Sequence, residues 1–194
     1  MIFNMLKSFN WLDIIILIII FRIFYISIKG GFTTEFFKFF GTLSAIYFSM
    51  HYNTVLSDFI SSKLHIEEKM PLEFLDFIIF IILALGGYFI FVLVRNAVNN
   101  LLKIEAVSVL NKWGGLLLGA LRSILLAGLV SFALVISSVP YLKNSVMDSY
   151  LGPRVLSVAV NTYSVIWNNF FSKFATKEEY NSIVSKIAEG DYSK

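Results

Sequence analysis

Arg122 stands inside an apolar run, Trp113–Val139, and Glu35 stands just inside another, Phe32–Tyr52. A guanidinium or a carboxylate among Leu, Ile and Phe forms a buried ion pair or lines a polar route, because an unpaired charge at that depth costs a few kcal/mol or more. Arg122 lies seven residues after Gly115, so the two share a helix face within about 20°. It therefore faces protein rather than lipid, although its long stem could instead snorkel toward the headgroups. Glu35, Thr42 and Ser49 also recur every seven residues and give their segment a narrow polar face. An Arg122–Glu35 ion pair is the expected arrangement. Asp13 and Asp76 stand near the opposite surface, with Asp76 and Gly87 eleven apart on one face. These acids could line a pathway, or serve as helix-start carboxylates stabilised by the helix dipole.

Other chemistry has little to work with. There is no cysteine, so thiolate catalysis, disulfides and cysteine-based metal sites are excluded. His51 and His65 are fourteen apart without an i, i+4 partner, which argues for an interfacial ring at His51 rather than a metal ligand. No phosphate-binding loop, zinc-protease helix or nucleophile elbow occurs. No catalytic, cofactor-binding or metal-binding residue is assigned, and an enzyme is not expected.

The elements that must position these groups are apolar. Of 194 residues, 57% are hydrophobic and 15% charged, with twenty Phe and nine Tyr; mean hydropathy is +0.76. A single soluble core cannot hide that much apolar surface, so lipid must be the solvent. The net charge of +3 is dispersed between apolar runs, as juxtamembrane basic flanks are, and does not suggest nucleic acid. Four runs are long enough to span a bilayer: Trp11–Ile28, Phe32–Tyr52, Phe74–Val94 and Trp113–Val139. The first has no small-residue cleavage site behind it and should remain as an anchor. Only Lys29, Gly30 and Gly31 separate the first two runs, which predicts a helical hairpin turned by the glycines.

The second connection, Asn53–Glu73, reads as a solvated loop closed by Pro71, and the third, Arg95–Lys112, as a partly amphipathic surface segment. Pro140 ends the fourth run. Beyond it, Val155, Val158, Thr162, Ile166 and Phe170 recur at helical spacing, and Thr176-Lys177-Glu178-Glu179 fits a capping box opening a short helix with Tyr180, Ile183, Val184 and Ile187 on one side. The expected organisation is an all-α membrane protein: a four-span transmembrane domain over residues 1–140 and a partly amphipathic helical tail over residues 141–194. Arg22, Lys29, Lys38, Arg95, Lys103 and Lys112 crowd the two short hairpins, whereas Lys7, Lys63, Lys69, Lys143 and Arg154 are spread over longer polar stretches. That density predicts cytoplasmic hairpins with both termini outside.

Gly115, Gly119, Ser123, Ala127 and Ser131 form an unbroken small-residue stripe at four-residue spacing, which lets another helix approach closely. The partner helix could belong to the same chain or to another subunit.

Two segments resemble the colicin V production protein family. The first comprises Asp13, Lys29-Gly30-Gly31-Phe32, Glu35 and His51-Tyr52; the second runs from Leu110 to Arg122 and reads Leu-Asn-Lys-Trp-Gly-Gly-Leu-Leu-Leu-Gly-Ala-Leu-Arg. Together they cover the four runs and leave the tail unmatched. The resemblance implies a four-span protein of the bacterial inner membrane associated with production or export of a peptide toxin and with envelope maintenance. It implies no particular chemistry. Two functions follow as expectations. One is an accessory membrane protein acting through lipid, other membrane proteins or further copies of itself; the other is a small channel or transporter subunit whose polar route is lined by Arg122, Glu35, Asp13 and Asp76.

Overall fold

The computed structural model describes residues 9–64, 70–101, 108–137, 139–174 and 178–189. Lys7, His65, Lys69, Lys103, Thr176 and Lys177 lie outside them. Among the described residues there are six α-helices, α1 (Trp11–Leu64), α2 (Leu72–Leu101), α3 (Ser108–Ile136), α4 (Pro140–Asp148), α5 (Gly152–Asn169) and α6 (Ser182–Ala188), with one 3-10 turn at Phe171–Lys173. No strand occurs among the described residues.

The four apolar runs lie on three helices long and apolar enough to cross a membrane. The first two share α1, which breaks at Gly31 (φ 70°, ψ 166°). That backbone region is essentially closed to residues with a Cβ. Gly30 stays helical, so one residue makes the reversal. The direction of the arms, 11–30 and 32–64, follows from their contacts with α3. Gly119 packs on Ser27 and Gly115 on the backbone of Gly31 and Phe32, while Arg122 reaches Glu35. The first arm therefore runs antiparallel to α3 and the second parallel to it, as a hairpin requires. In turn α2 runs back along the second arm, with Gly87 against Ala45, Gly41 against Tyr88 and Phe91, and Asp76 hydrogen-bonded to Ser57.

At the centre of the bundle is α3. Its apolar window is 67% buried, against 22% for α1 and 17% for α2. The outward faces of those two carry Ile14, Ile18, Phe21, Ile82, Leu85, Phe89 and Leu93, all exposed. Such a continuous apolar exterior is stable against lipid tails rather than water.

Gly31 should be the least replaceable turn position. An added Cβ would lie 2.5 Å from the Asn111 Oδ1 in addition to forcing a strained backbone. Gly31→Ala is expected to destabilise the bundle by about 2–3 kcal/mol. Gly86→Ala, where a Cβ meets open space, should be neutral or slightly favourable on helix propensity. Thermal unfolding in detergent checks this, and equal midpoints for the two variants would contradict a strained turn.

Several boundary expectations are corrected. The stretch beginning at Asn53 is not a loop: α1 continues to Leu64, with Asn53, Ser57 and Ser61 buried. Its polar residues face inward, where Ser57 finds Asp76, so polarity there does not mark solvent. Most of Arg95–Lys112 likewise extends α2 and α3 rather than forming a separate surface segment. In the tail, α5 buries Val155, Leu156, Ala159, Val160, Tyr163 and Trp167, whereas Val158 and Phe170 are exposed. The buried face is thus rotated from the expected stripe. The last helix starts not at the Thr176 capping box but at Asn181, whose side chain accepts from the Ile183 and Val184 amides. One apolar cluster joins Leu12, Ile46 and Phe132 to Val155, Tyr163, Val184 and Ile187, so the tail helices pack on the bundle.

Candidate functional site: a buried charge cluster below the hairpin turn

Glu35 lies one turn beyond Gly31, near the start of the second arm, where a carboxylate is favoured by the helix dipole. Its side chain is fully buried. From α3, Arg122 donates through Nε to Oε2 of Glu35 at 3.0 Å, and its Nη2 stands 2.7 Å from the same oxygen as an ion pair. Lys38, one turn further along the second arm, donates to Oε1 at 2.8 Å. The carboxylate is thereby divided between a neighbour three residues away and a partner 87 residues away. Arg122 sets its charge against one oxygen instead of bridging both, and Lys38 occupies the other. Charge-assisted bonds of this kind offset the cost of burying ions. Two cations share one anion, and Lys38, 18% exposed, leaves the surplus charge close to the surface.

Glycine gives the cluster its space. A Cβ on Gly30 would stand 2.9 Å from Glu35 Oε1, and one on Gly115 would stand 2.9 Å from the Gly31 carbonyl carbon. All five residues of the small-residue stripe, Gly115, Gly119, Ser123, Ala127 and Ser131, are buried. The first two meet the hairpin of the same chain, and Gly128, outside the stripe, closes on Val155 and Ala159 of α5. Close approach along the stripe and the ion pair are one arrangement, since an arginine on α3 reaches Glu35 only if the backbones nearly touch. Asn111 completes it by accepting from the Phe32 amide at 2.8 Å, a helix-start cap supplied by a different helix.

The structure does not bring Asp13 and Asp76 to this cluster. Asp13 is fully buried at the far end of the first arm and accepts from the amides of Asn10 (2.9 Å), Tyr150 (3.1 Å) and Leu151 (2.6 Å). It ties the chain just before α5 to the head of α1. Counting helical rise from the turn, Asp13 lies about 20 Å further along the bundle than Glu35. Asp76, bonded to Ser57, lies about 30 Å beyond Glu35 on the same count. Among the described residues no three His, Asp or Glu side chains gather as metal ligands.

Two features have signals that the sequence reading did not use. Gly41, Ala45, Ser49, Asn53, Ser57 and Ser61 form a second stripe at strict four-residue spacing, and every member is buried. It seats α2 at Gly41 and Ala45 and extends the helix past Tyr52. The second feature is a polar clasp on the tail. His51 contacts Tyr163 Oη through Nδ1 at 2.9 Å and Glu178 Oε2 through Nε2 at 2.9 Å, and Tyr52 also donates to Glu178. Burial holds the Tyr163 phenol above the ordinary tyrosine range, so it keeps its proton. The Asn181 backbone amide donates to that same oxygen at 3.4 Å, so the phenol links His51 to the head of α6. The interfacial ring expected at His51 is therefore a buried connector, stacked on Trp167 at 4.8 Å.

Asn181 both caps α6 and donates to the His51 carbonyl, Asn53 Oδ1 and Thr54 Oγ1. Asn181→Ala should cost about 1–2 kcal/mol. Hydrogen exchange should reveal that loss first in α6; unchanged protection there would show that apolar contacts alone hold the tail.

The geometry thus sets a glycine-turned hairpin, a close-packed central helix and a buried Glu–Arg–Lys cluster within residues 11–136. The model of one family, the colicin V production protein, matches residues 12–160 and includes all of these features. No curated protein and no solved structure matches the chain. With about three quarters of its length matched, the chain belongs to the colicin V production protein family.

Proposed function

We propose that this chain is an integral accessory protein of the bacterial inner membrane that supports toxin production or export and envelope maintenance by contacting other membrane proteins or further copies of itself, and that it catalyses no reaction. One observation carries the reading: the side chains able to do chemistry are engaged in holding helices to one another. Glu35, Arg122 and Lys38 join α1 to α3, Asp13 joins α1 to the tail, and Asp76 joins α2 to α1. What the bundle presents outward is apolar. The alternative, a channel or transporter subunit, has less support, because Asp13 and Asp76 lie far along the bundle from the Arg122–Glu35 pair and from each other's partners.

The proposed orientation places the Gly31 end in the cytoplasm and both termini outside. Lys29 and Lys112 are exposed at that end and Lys38 and Arg95 half-buried there, which supports it. Single cysteines at the exposed positions Ser62 and Asn96 test it in a chain with no native cysteine. An impermeant thiol reagent applied from outside should label Ser62→Cys and spare Asn96→Cys, and the reverse pattern would invert the topology. For the function itself, purified protein in liposomes should pass no ions, and crosslinking in native membranes should capture protein partners. Flux through the pure protein would replace the accessory reading with the transport one.

A further inference from the structure

Between the second arm of α1 and the C-terminal half of α2 runs a shallow groove lined by Phe37, Lys38, Tyr88, Phe91, Val92 and Arg95. All six are half-buried. On α2, Tyr88, Phe91, Val92 and Arg95 follow three- and four-residue steps and share a face. The antiparallel packing that sets Gly41 against Tyr88 and Phe91 brings Arg95 level with Phe37 and Lys38. The groove thus has two cations at its rim, toward the Gly31 end. Aromatic and branched walls run inward from them for about 10 Å.

Among the described residues, the rim carries more positive charge than its neighbours neutralise. Glu35 is the carboxylate paired with Lys38, and Arg122 already takes one of its oxygens and Lys38 the other. Among the described residues, Arg95 donates to the Asn96 amide oxygen at 3.4 Å and no carboxylate lies within ion-pair distance of it. Lys38 has three N–H donors and uses one on Glu35. Uncompensated cations at the end of an apolar helix pair stand where lipid phosphates stand, and basic clefts between spans on that side recruit anionic headgroups.

Building on the membrane reading, we propose that this groove binds an anionic phospholipid. Its phosphate sits between Lys38 and Arg95, and an acyl chain lies along Phe37, Phe91, Val92 and Tyr88. A zwitterionic lipid fits the walls equally well but brings its own cation to a rim that is already positive. The groove therefore selects by headgroup charge.

The test uses the full chain reconstituted in equimolar phosphatidylglycerol and phosphatidylcholine, extracted in mild detergent and examined by native mass spectrometry for retained lipid. Phosphatidylglycerol should be retained over phosphatidylcholine by roughly tenfold or more. Arg95→Gln should remove most of that preference. Val92→Trp, which fills the groove without altering charge, should lower retention of both lipids. Lys112→Gln, which removes an exposed cation at the same end but outside the groove, should leave the preference unchanged. Equal retention of the two lipids, or equal losses in Arg95→Gln and Lys112→Gln, would overturn the proposal. A bundle that reconstitutes and carries no flux yet shows no headgroup preference would overturn the lipid site alone and leave the accessory reading standing.

Discussion

Arg122→Ala is expected to cost the bundle about 3–5 kcal/mol, the usual penalty for stranding one member of a buried ion pair. The loss is comparable to the whole stability of many domains, so the readout is folded yield as well as unfolding midpoint. With Arg122 gone, Glu35 stays fully buried and keeps only Lys38. Glu35→Ala strands the guanidinium in its place. Lys38 can then turn toward water, but Arg122, 6% exposed, cannot do so without moving α3. The double substitution Glu35→Leu with Arg122→Met should be milder than either single alanine change, because two apolar groups of similar size need no partner. The charge swap Arg122→Glu with Glu35→Arg should recover part of the yield, limited by Lys38 then facing an arginine. Strictly additive losses across this set would show that the two side chains, though adjacent, do not depend on each other.

A comparable loss, about 3 kcal/mol, is expected from Gly119→Leu. A Cβ at Gly119 would overlap the Ser27 side chain, so even alanine needs the first arm to retreat. That retreat also loosens the Arg122–Glu35 contact, which lies on the same face of α3. Two stabilising terms are lost for one substitution. Leu117→Phe places similar bulk two residues away at a position 63% exposed and should be nearly neutral. Ser27→Gly should partly rescue Gly119→Ala by returning the missing volume. Equal unfolding midpoints for Gly119→Leu and Leu117→Phe would remove the close-packing role of the stripe.

How much of this was legible depended on which physical signal each residue carries. Apolar run length marks spans because the bilayer sets a minimum, and Gly30-Gly31 between two runs marks a reversal. Arg122 and Glu35 stood out because an ion within an apolar helix needs a partner, and their pairing followed from shared height and inward faces. The second arm's extension to Leu64 was missed because Asn53, Ser57 and Ser61 look like solvent-facing residues in composition. Only their spacing, continuous with Gly41, Ala45 and Ser49, shows that they share a buried face. The tail was misaligned because α5 is apolar on more than one side: Val155 of the expected stripe is buried, but Val158 and Phe170 give way to Leu156 and Tyr163, and only the position of Gly128 on α3 decides between them. Asp13 and Asp76 look alike in sequence, each near the head of an apolar helix. Contacts from distant segments give them separate anchoring roles.

The division of the Glu35 carboxylate also has a meaning in time. A ribosome adds about 5–20 residues per second, so Arg122, 87 residues downstream, is made roughly 4–17 s after Glu35. Throughout that interval the newborn hairpin carries an acid with no distant partner to receive it. Lys38 is synthesised almost at once, on the same helical turn, and shields the carboxylate while the rest of the chain is still emerging. The near cation thus serves the nascent chain and the far one serves the finished bundle. Removal of Lys38 should be felt as poor delivery of new protein, whereas removal of Arg122 should be felt as a short lifetime of protein already delivered.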